Sequence, residues 1–182
     1  MHAIVLAVVL GLQSTYAPTG PTIKATMASG KSFVITTDPV RSPKTVAHVL
    51  NLVRHRFYDR QRVHRVEYWV TQWGDPKSRT VEPFVVKGAD GKLALNEKIG
   101  DGGSGKDIPF EMSDVDFKRS VVGVASEGLQ LGGDSQLFII TQDRLYLWHS
   151  YAVVGRVTQG MDVVDGIKRG DRIRAMRVVR GS

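Results

Sequence analysis

The chain has 182 residues, 42% of them hydrophobic, and a formal charge of +7. That length suits one domain with a sizeable core and excludes a disordered chain, and the scattered Lys and Arg residues read as a solvated surface rather than a nucleic-acid footprint. Without cysteine, disulfides, thiolate nucleophiles and cysteine-based zinc sites are excluded.

Residues 3–12 are nearly all apolar, yet too short to span a bilayer as a helix. The polar stretch Gln13-Ser14-Thr15-Tyr16-Ala17 follows, then Pro18. This reads as a secretory signal peptide cleaved after Ala17. A buried first strand or a lipid-facing tail is the alternative. Residues 1–20 are set apart from the fold as signal and short linker.

Residues 22–27 and 32–37 are β-type runs around the turn Ala28-Ser29-Gly30-Lys31, a predicted hairpin. Ser42 as N-cap and Pro43 at the first helical position then start a helix. Val46, Val49, Leu50 and Val53 give it one apolar stripe, and it ends near His55. Residues 63–72 read as a strand rich in Val, Tyr and Trp. Residues 84–87 and 92–95 flank Gly88-Ala89-Asp90-Gly91 as an excursion hairpin. Residues 121–125, 136–140 and 152–154 are short apolar runs of the buried-strand type. Residues 161–167 allow one or two helical turns, and residues 172–180 a closing strand. Frequent glycine, many short strands and two helices suggest a mainly β fold, a closed barrel capped by helices.

Two motifs imitate known chemistry. Gly100 to Lys106 spells GxxxxGK, but Asp107, Ile108 and Pro109 follow and oppose a helix start, so a surface loop is the better reading. Gly133-Asp134-Ser135 resembles the start of a serine esterase block, with His149 and Asp143 nearby but no fixed geometry. Histidines 2, 48, 55, 64 and 149 lack the short spacings of a zinc site. Arg65, in an apolar strand, is costly to bury unless paired or given a task. Taken alone, it equally well snorkels to the rim.

The segment Val63-His64-Arg65-Val66 with Gln72-Trp73-Gly74-Asp75 resembles the cyclophilin signature, Phe-His-Arg-Val and then Gln-Gly-Gly-Asp. Ser42-Pro43-Lys44-Thr45-Val46 is similar to that family's first helix, and Phe57-Tyr58-Asp59 to its Tyr-Tyr-Asp. Gly102-Gly103-Ser104-Gly105 is similar to a family loop, and Asp134-Ser135-Gln136-Leu137-Phe138-Ile139 to its Ser-Gln-Phe-Phe-Ile. Tyr151-Ala152-Val153-Val154-Gly155 resembles the bacterial-type Tyr-Ala-Val-Phe-Gly, and Gly160-Met161-Asp162 the second helix. The likeness covers residues 22–180. Departures are Val63 for Phe, Trp73 for Gly, Ser126 for Asn or Arg, and one residue fewer between Arg65 and Gln72. One residue is inserted between Gly128 and Gln136, and residues 77–99 are longer than usual.

The resemblance implies a closed eight-stranded antiparallel β-barrel capped by two α-helices. It implies peptidyl-prolyl cis-trans isomerase activity assisting protein folding, with Arg65, Gln72 and Phe138 as catalytic residues. Trp69, Val70, Phe138 and Leu147 would line a proline pocket, with Tyr146 and Tyr151 at its rim. Ala125, Ser126 and Gln136 would hold the peptide backbone. No cofactor and no metal is expected. The expected partners are proline-containing peptides and unfolded chains, with no nucleic acid and no stable membrane association after signal cleavage. A monomer is expected, periplasmic or secreted, or cytoplasmic if residues 1–17 are not a signal. The alternative is a peptide-binding, chaperone-like module with weak or no turnover, and a third idea is an interaction domain using residues 77–99.

Overall fold

Alternating and fully apolar strand runs need two layers to bury them, and here both faces of one sheet are covered. The computed structural model describes residues 16–180. Ten strands and two helices follow in chain order: β1 (Thr22–Met27), β2 (Ser32–Thr37), α1 (Pro43–Arg54), β3 (Arg65–Glu67), β4 (Val70–Trp73), β5 (Val85–Lys87) and β6 (Leu93–Leu95). β7 (Val121–Val124), β8 (Leu137–Ile140), β9 (Val153–Gln159), α2 (Met161–Asp165) and β10 (Ile173–Arg180) complete them. Eight strands form one sheet in the order β10-β1-β2-β9-β7-β8-β4-β3, all neighbours antiparallel. β5 and β6 form the expected separate hairpin.

The sheet is a strongly curled half-barrel, open rather than closed as expected. Its edges are β10 and β3. Between them stands one isolated bridge, Arg62 to Arg172, with scattered bonds such as Val63 N–H to the Asp171 carbonyl at 2.9 Å. The reason is local. β3 has only three residues. The chain before it leaves the extended region at Arg56 and Arg60, with φ of 58° and 63°, so no ladder joins β3 to β10.

A second correction concerns residues 63–72, expected as one strand. They form a hairpin, β3 and β4, turning on Tyr68 and Trp69 alone. Neither residue is a turn former by chemistry, so the sequence gives no sign of it.

Strand parity divides the side chains between two clusters. Thr71 and Trp73 of β4, Leu137 and Ile139 of β8, and Val122 and Val124 of β7 face inward. There, all but Thr71 join Ile23, Phe33, Ile35, the α1 stripe and Val164 of α2 in the main core. Trp73 is fully buried, edge-on to Phe33 at 6.1 Å. Trp73, in the place of a family glycine, therefore belongs to the core and not to the face that carries Gln72. Val70, Phe138, Ile140, Val121 and Val153 face outward into a second cluster with Val115, Phe117 and Leu147.

The start of α1 shows how distant segments finish local structure. Ser42 precedes Pro43 as expected, but its side chain makes no capping bond. The Glu111 carboxylate does that work, accepting from Lys44 N–H at 3.1 Å and Thr45 N–H at 2.7 Å. A carboxylate at a helix N-terminus satisfies unpaired donors and meets the positive end of the helix dipole.

The apolar run of residues 3–12 lies outside the described residues. Residues 16–20, set apart from the fold in the sequence reading, are packed on it. Arg156 Nη1 donates to the Tyr16 carbonyl at 2.6 Å, and Gly20 N–H to the Thr37 carbonyl at 2.9 Å. The Arg41 guanidinium lies 5.4 Å over the Tyr16 ring.

Candidate active site

The outward face of the sheet carries one continuous row. Arg65 pairs with Gln72 across β3 and β4, Gln72 with Phe138 across β4 and β8, and Phe138 with Gly123 across β8 and β7. Directly paired residues share a face, so strand register alone brings Arg65, Gln72 and Phe138 together. The row grades from a guanidinium at the sheet's edge to an aromatic ring near its centre.

Hydrogen bonds continue it. Arg65 Nη1 donates to Gln72 Oε1 at 3.3 Å, and Gln72 Nε2 to Gln136 Oε1 at 2.8 Å. Gln136 in turn donates to the carbonyls of Gly100 and Gly102. The GxxxxGK imitation is thus a loop tethered to the site. The buried Asp75 carboxylate accepts from Gly100 N–H at 2.7 Å, and the Asp134 carboxylate accepts from Gly105 N–H at 2.9 Å and from the Ser104 hydroxyl. Asp134 also meets His48 Nε2 of α1 at 3.2 Å.

Phe138 is stacked on Phe117 at 5.9 Å and edge-on to Tyr151 at 5.3 Å. Its ring lies against β7, where a Cβ on Gly123 would stand 2.5 Å from its Cζ. A strand glycine here marks a close approach, and the apolar run Val121-Val122-Gly123-Val124 carries that signal in the sequence. Trp69, Ala125 and Tyr151 pack against the same cluster as Val70, Phe138 and Leu147. The sequence-predicted apolar set is therefore one packed cluster, with Val70, Phe138 and Leu147 buried and Trp69, Ala125 and Tyr151 partly exposed over them.

Ser126 lines one cavity with Gln72, Ala125 and Gln136, and one expected member stands apart. Tyr146 is 73% exposed, on a short 3-10 turn. The Ser126 hydroxyl donates to the Gly128 carbonyl at 2.7 Å, closing its own loop. The esterase imitation dissolves as well: Ser135 is fully buried and donates to the Gly74 carbonyl at 3.0 Å, while His149 pairs with Asp114 and not with Asp143.

Sequence reasoning missed Glu67, Gly123, Phe117 and Arg144, and gave Asp75 a place in the signature but no role. Glu67 accepts from Arg65 Nε at 2.7 Å and from the Trp69 indole N–H at 2.9 Å. The Arg65 bond holds the Glu67 carboxyl below its usual range, although partial burial opposes this. Arg65 also lies 5.3 Å over the Trp69 ring. Beside it, burial pushes the His64 imidazole below its usual value, with Asp75 and Gln136 opposing. This set offers a positioned cationic donor, an apolar platform and amide groups for a peptide backbone. It offers no activated nucleophile.

Residues 22–180 match the family model described as cyclophilin type peptidyl-prolyl cis-trans isomerase/CLD. A "Probable peptidyl-prolyl cis-trans isomerase" of Brucella abortus is 38% identical over 134 residues, covering 72% of this chain. The match spans 64% of that relative's length. A solved cyclophilin type peptidyl-prolyl cis-trans isomerase of Cryptosporidium parvum superposes with a TM-score of 0.70 at 15% identity, covering 90% of this chain and 100% of its own. The same Cryptosporidium protein, in the presence of the dipeptide Ala-Pro, gives 0.69 at 16% identity, covering 88% of this chain and 99% of its own. At such identities these two structures speak for the fold alone.

Proposed function

Since the chain belongs to the cyclophilin-type peptidyl-prolyl cis-trans isomerase family, we propose that it catalyses rotation about X-Pro peptide bonds in peptides and unfolded chains. The observation that carries this reading is the row Arg65, Gln72, Phe138, assembled by register on one face.

The chemistry suits such a row. Rotation about a peptide bond meets a barrier of ~18–20 kcal/mol set by amide resonance. Twisting the bond breaks that resonance and makes the proline nitrogen pyramidal and basic. A donor aimed at that nitrogen binds the transition state more strongly than the ground state, which is the condition for catalysis. Arg65 is always charged, and its donors form a rigid fork. Nε and Nη1 are engaged by Glu67 and Gln72, and Nη2 is left for the substrate.

In this reading the proline ring lies on the patch of Trp69, Val70, Phe138 and Leu147. Gln72 orients Arg65, and Gln136 with Ala125 flanks the peptide backbone. Tyr151 borders the ring, Ser126 shares the cavity of Gln72, Ala125 and Gln136, and Tyr146 reaches substrate only from the margin. Export with cleavage after Ala17 belongs to the same proposal. It would remove Tyr16 and its contacts, so mass spectrometry of the mature N-terminus tests it.

The decisive measurement is prolyl exchange in a short peptide, followed by NMR on wild type and Arg65→Ala. Arg65→Ala is expected to lose about 10²–10³ in rate, or ~3 kcal/mol of transition-state stabilisation, while remaining folded. Equal rates for the two proteins would end this assignment. A second reading, a peptide binder with little turnover, is favoured by one observation, the shortened stretch between Arg65 and Gln72, which folds as a two-residue turn at Tyr68 and Trp69. Peptide binding without accelerated exchange in the wild type would select it.

A further inference from the structure

Glu67 is the last residue of β3 and lies two positions from Arg65, so both side chains leave the same face. The two-residue turn at Tyr68 and Trp69 then folds the indole back over them. One carboxylate reaches both groups: Oε1 accepts from Arg65 Nε at 2.7 Å, and Oε2 from Trp69 Nε1 at 2.9 Å. Arg65 is thereby fixed by a carboxylate at Nε, an amide at Nη1 and a ring 5.3 Å from its central carbon. The other neighbour of that ring is Arg144, which lies 5.2 Å from it and 4.8 Å over Tyr68.

An arginine side chain alone samples many rotamers. A charge-assisted bond to Nε sets the plane of the guanidinium as well as its position. Arg65 and Glu67 are each 41% exposed, so the pair contributes little to stability. Its effect falls on orientation instead.

We propose that Glu67 is a positioning residue, whose carboxylate locks Arg65 and Trp69 together so that the remaining guanidinium edge faces a proline amide lying over Phe138. The inference rests on the isomerase reading of this face. It adds a residue that acts through Arg65 and tunes turnover, not peptide affinity.

The test uses the same exchange measurement on wild type, Arg65→Ala, Glu67→Gln and Glu67→Ala, with peptide affinity from a separate titration. Glu67→Ala is expected to turn over about 10- to 100-fold more slowly at saturating peptide, up to the loss that a misplaced catalytic group causes. Glu67→Gln, which keeps an acceptor but not the charge, should fall between it and wild type. Affinity should stay within about twofold and the melting temperature should not move. The Trp69 indole proton, assigned by its loss in Trp69→Phe, should shift upfield in both Glu67 variants. Unchanged or faster turnover in Glu67→Ala, with Arg65→Ala still inactive, overturns the role of Glu67 alone. So does a slowing matched by an equal loss of affinity. A wild type no faster than Arg65→Ala overturns both this role and the isomerase reading.

Discussion

Gln72 and Trp73 are neighbours in the chain and opposites in every other respect. Gln72 faces outward, part-exposed, in a chain of side-chain hydrogen bonds. Trp73 faces inward, fully buried against Phe33. The same division runs through β7 and β8, where Phe138 and Ile140 lie outside and Leu137 and Ile139 inside. Both faces are apolar, but the inner one is closed by helices and the outer one borders polar groups and loops. One sheet thus serves as the core on one side and as the platform of the proposed site on the other. A substitution should declare which side it belongs to.

Trp73→Ala should have the largest effect on stability, about 3–5 kcal/mol, since it removes a fully buried aromatic. Chemical denaturation measures it, and a loss below 1 kcal/mol would deny Trp73 its place in the core. Arg65→Ala is its mirror image, lowering rate by ~3 kcal/mol in barrier with melting unchanged. Gly123→Ala should blur the division. Its methyl would meet Phe138, so a stability loss of about 1–3 kcal/mol should accompany slower turnover. Normal activity in that variant would mean that the seating of Phe138 is irrelevant to the site.

The smallest effect is a pH dependence. Burial keeps His64 neutral in the folded protein below the pH at which the unfolded residue, near 6.5, takes up a proton. Below about pH 6.5 the unfolded state binds more protons, so stability falls as pH falls, by at most ~1.4 kcal/mol per pH unit from this group. Denaturation midpoints at pH 7.5 and 5.5 should differ in that direction, and the His64 contribution should vanish in His64→Gln. An unchanged gap in the variant would assign it to other groups.

Much of this was legible in the sequence. The β1–β2 hairpin, α1, the excursion hairpin and the apolar runs of β7 and β8 follow from periodicity and turn chemistry, which are local. Arg65 stands out by the cost of its surroundings, and the resemblance implies the task proposed for it. What stayed hidden depends on segments meeting across the chain. Glu111 caps a helix from 66 residues away. Glu67 matters only once the turn at Tyr68 and Trp69 is known. The open seam between β3 and β10 depends on backbone angles at Arg56 and Arg60, residue types that do not announce a left-handed turn.

The pairing of β1 with β10 carries a consequence for biosynthesis. The first strand of the sheet must wait for the last. During translation, β1 and β2 emerge early as a ribbon whose outer edge stays unpaired until nearly the whole domain has been made. Long-range pairing of this kind folds slowly, and an open strand edge invites association with other chains. A protein proposed to hasten the folding of others is, by its own topology, a candidate client of chaperones while it is being born.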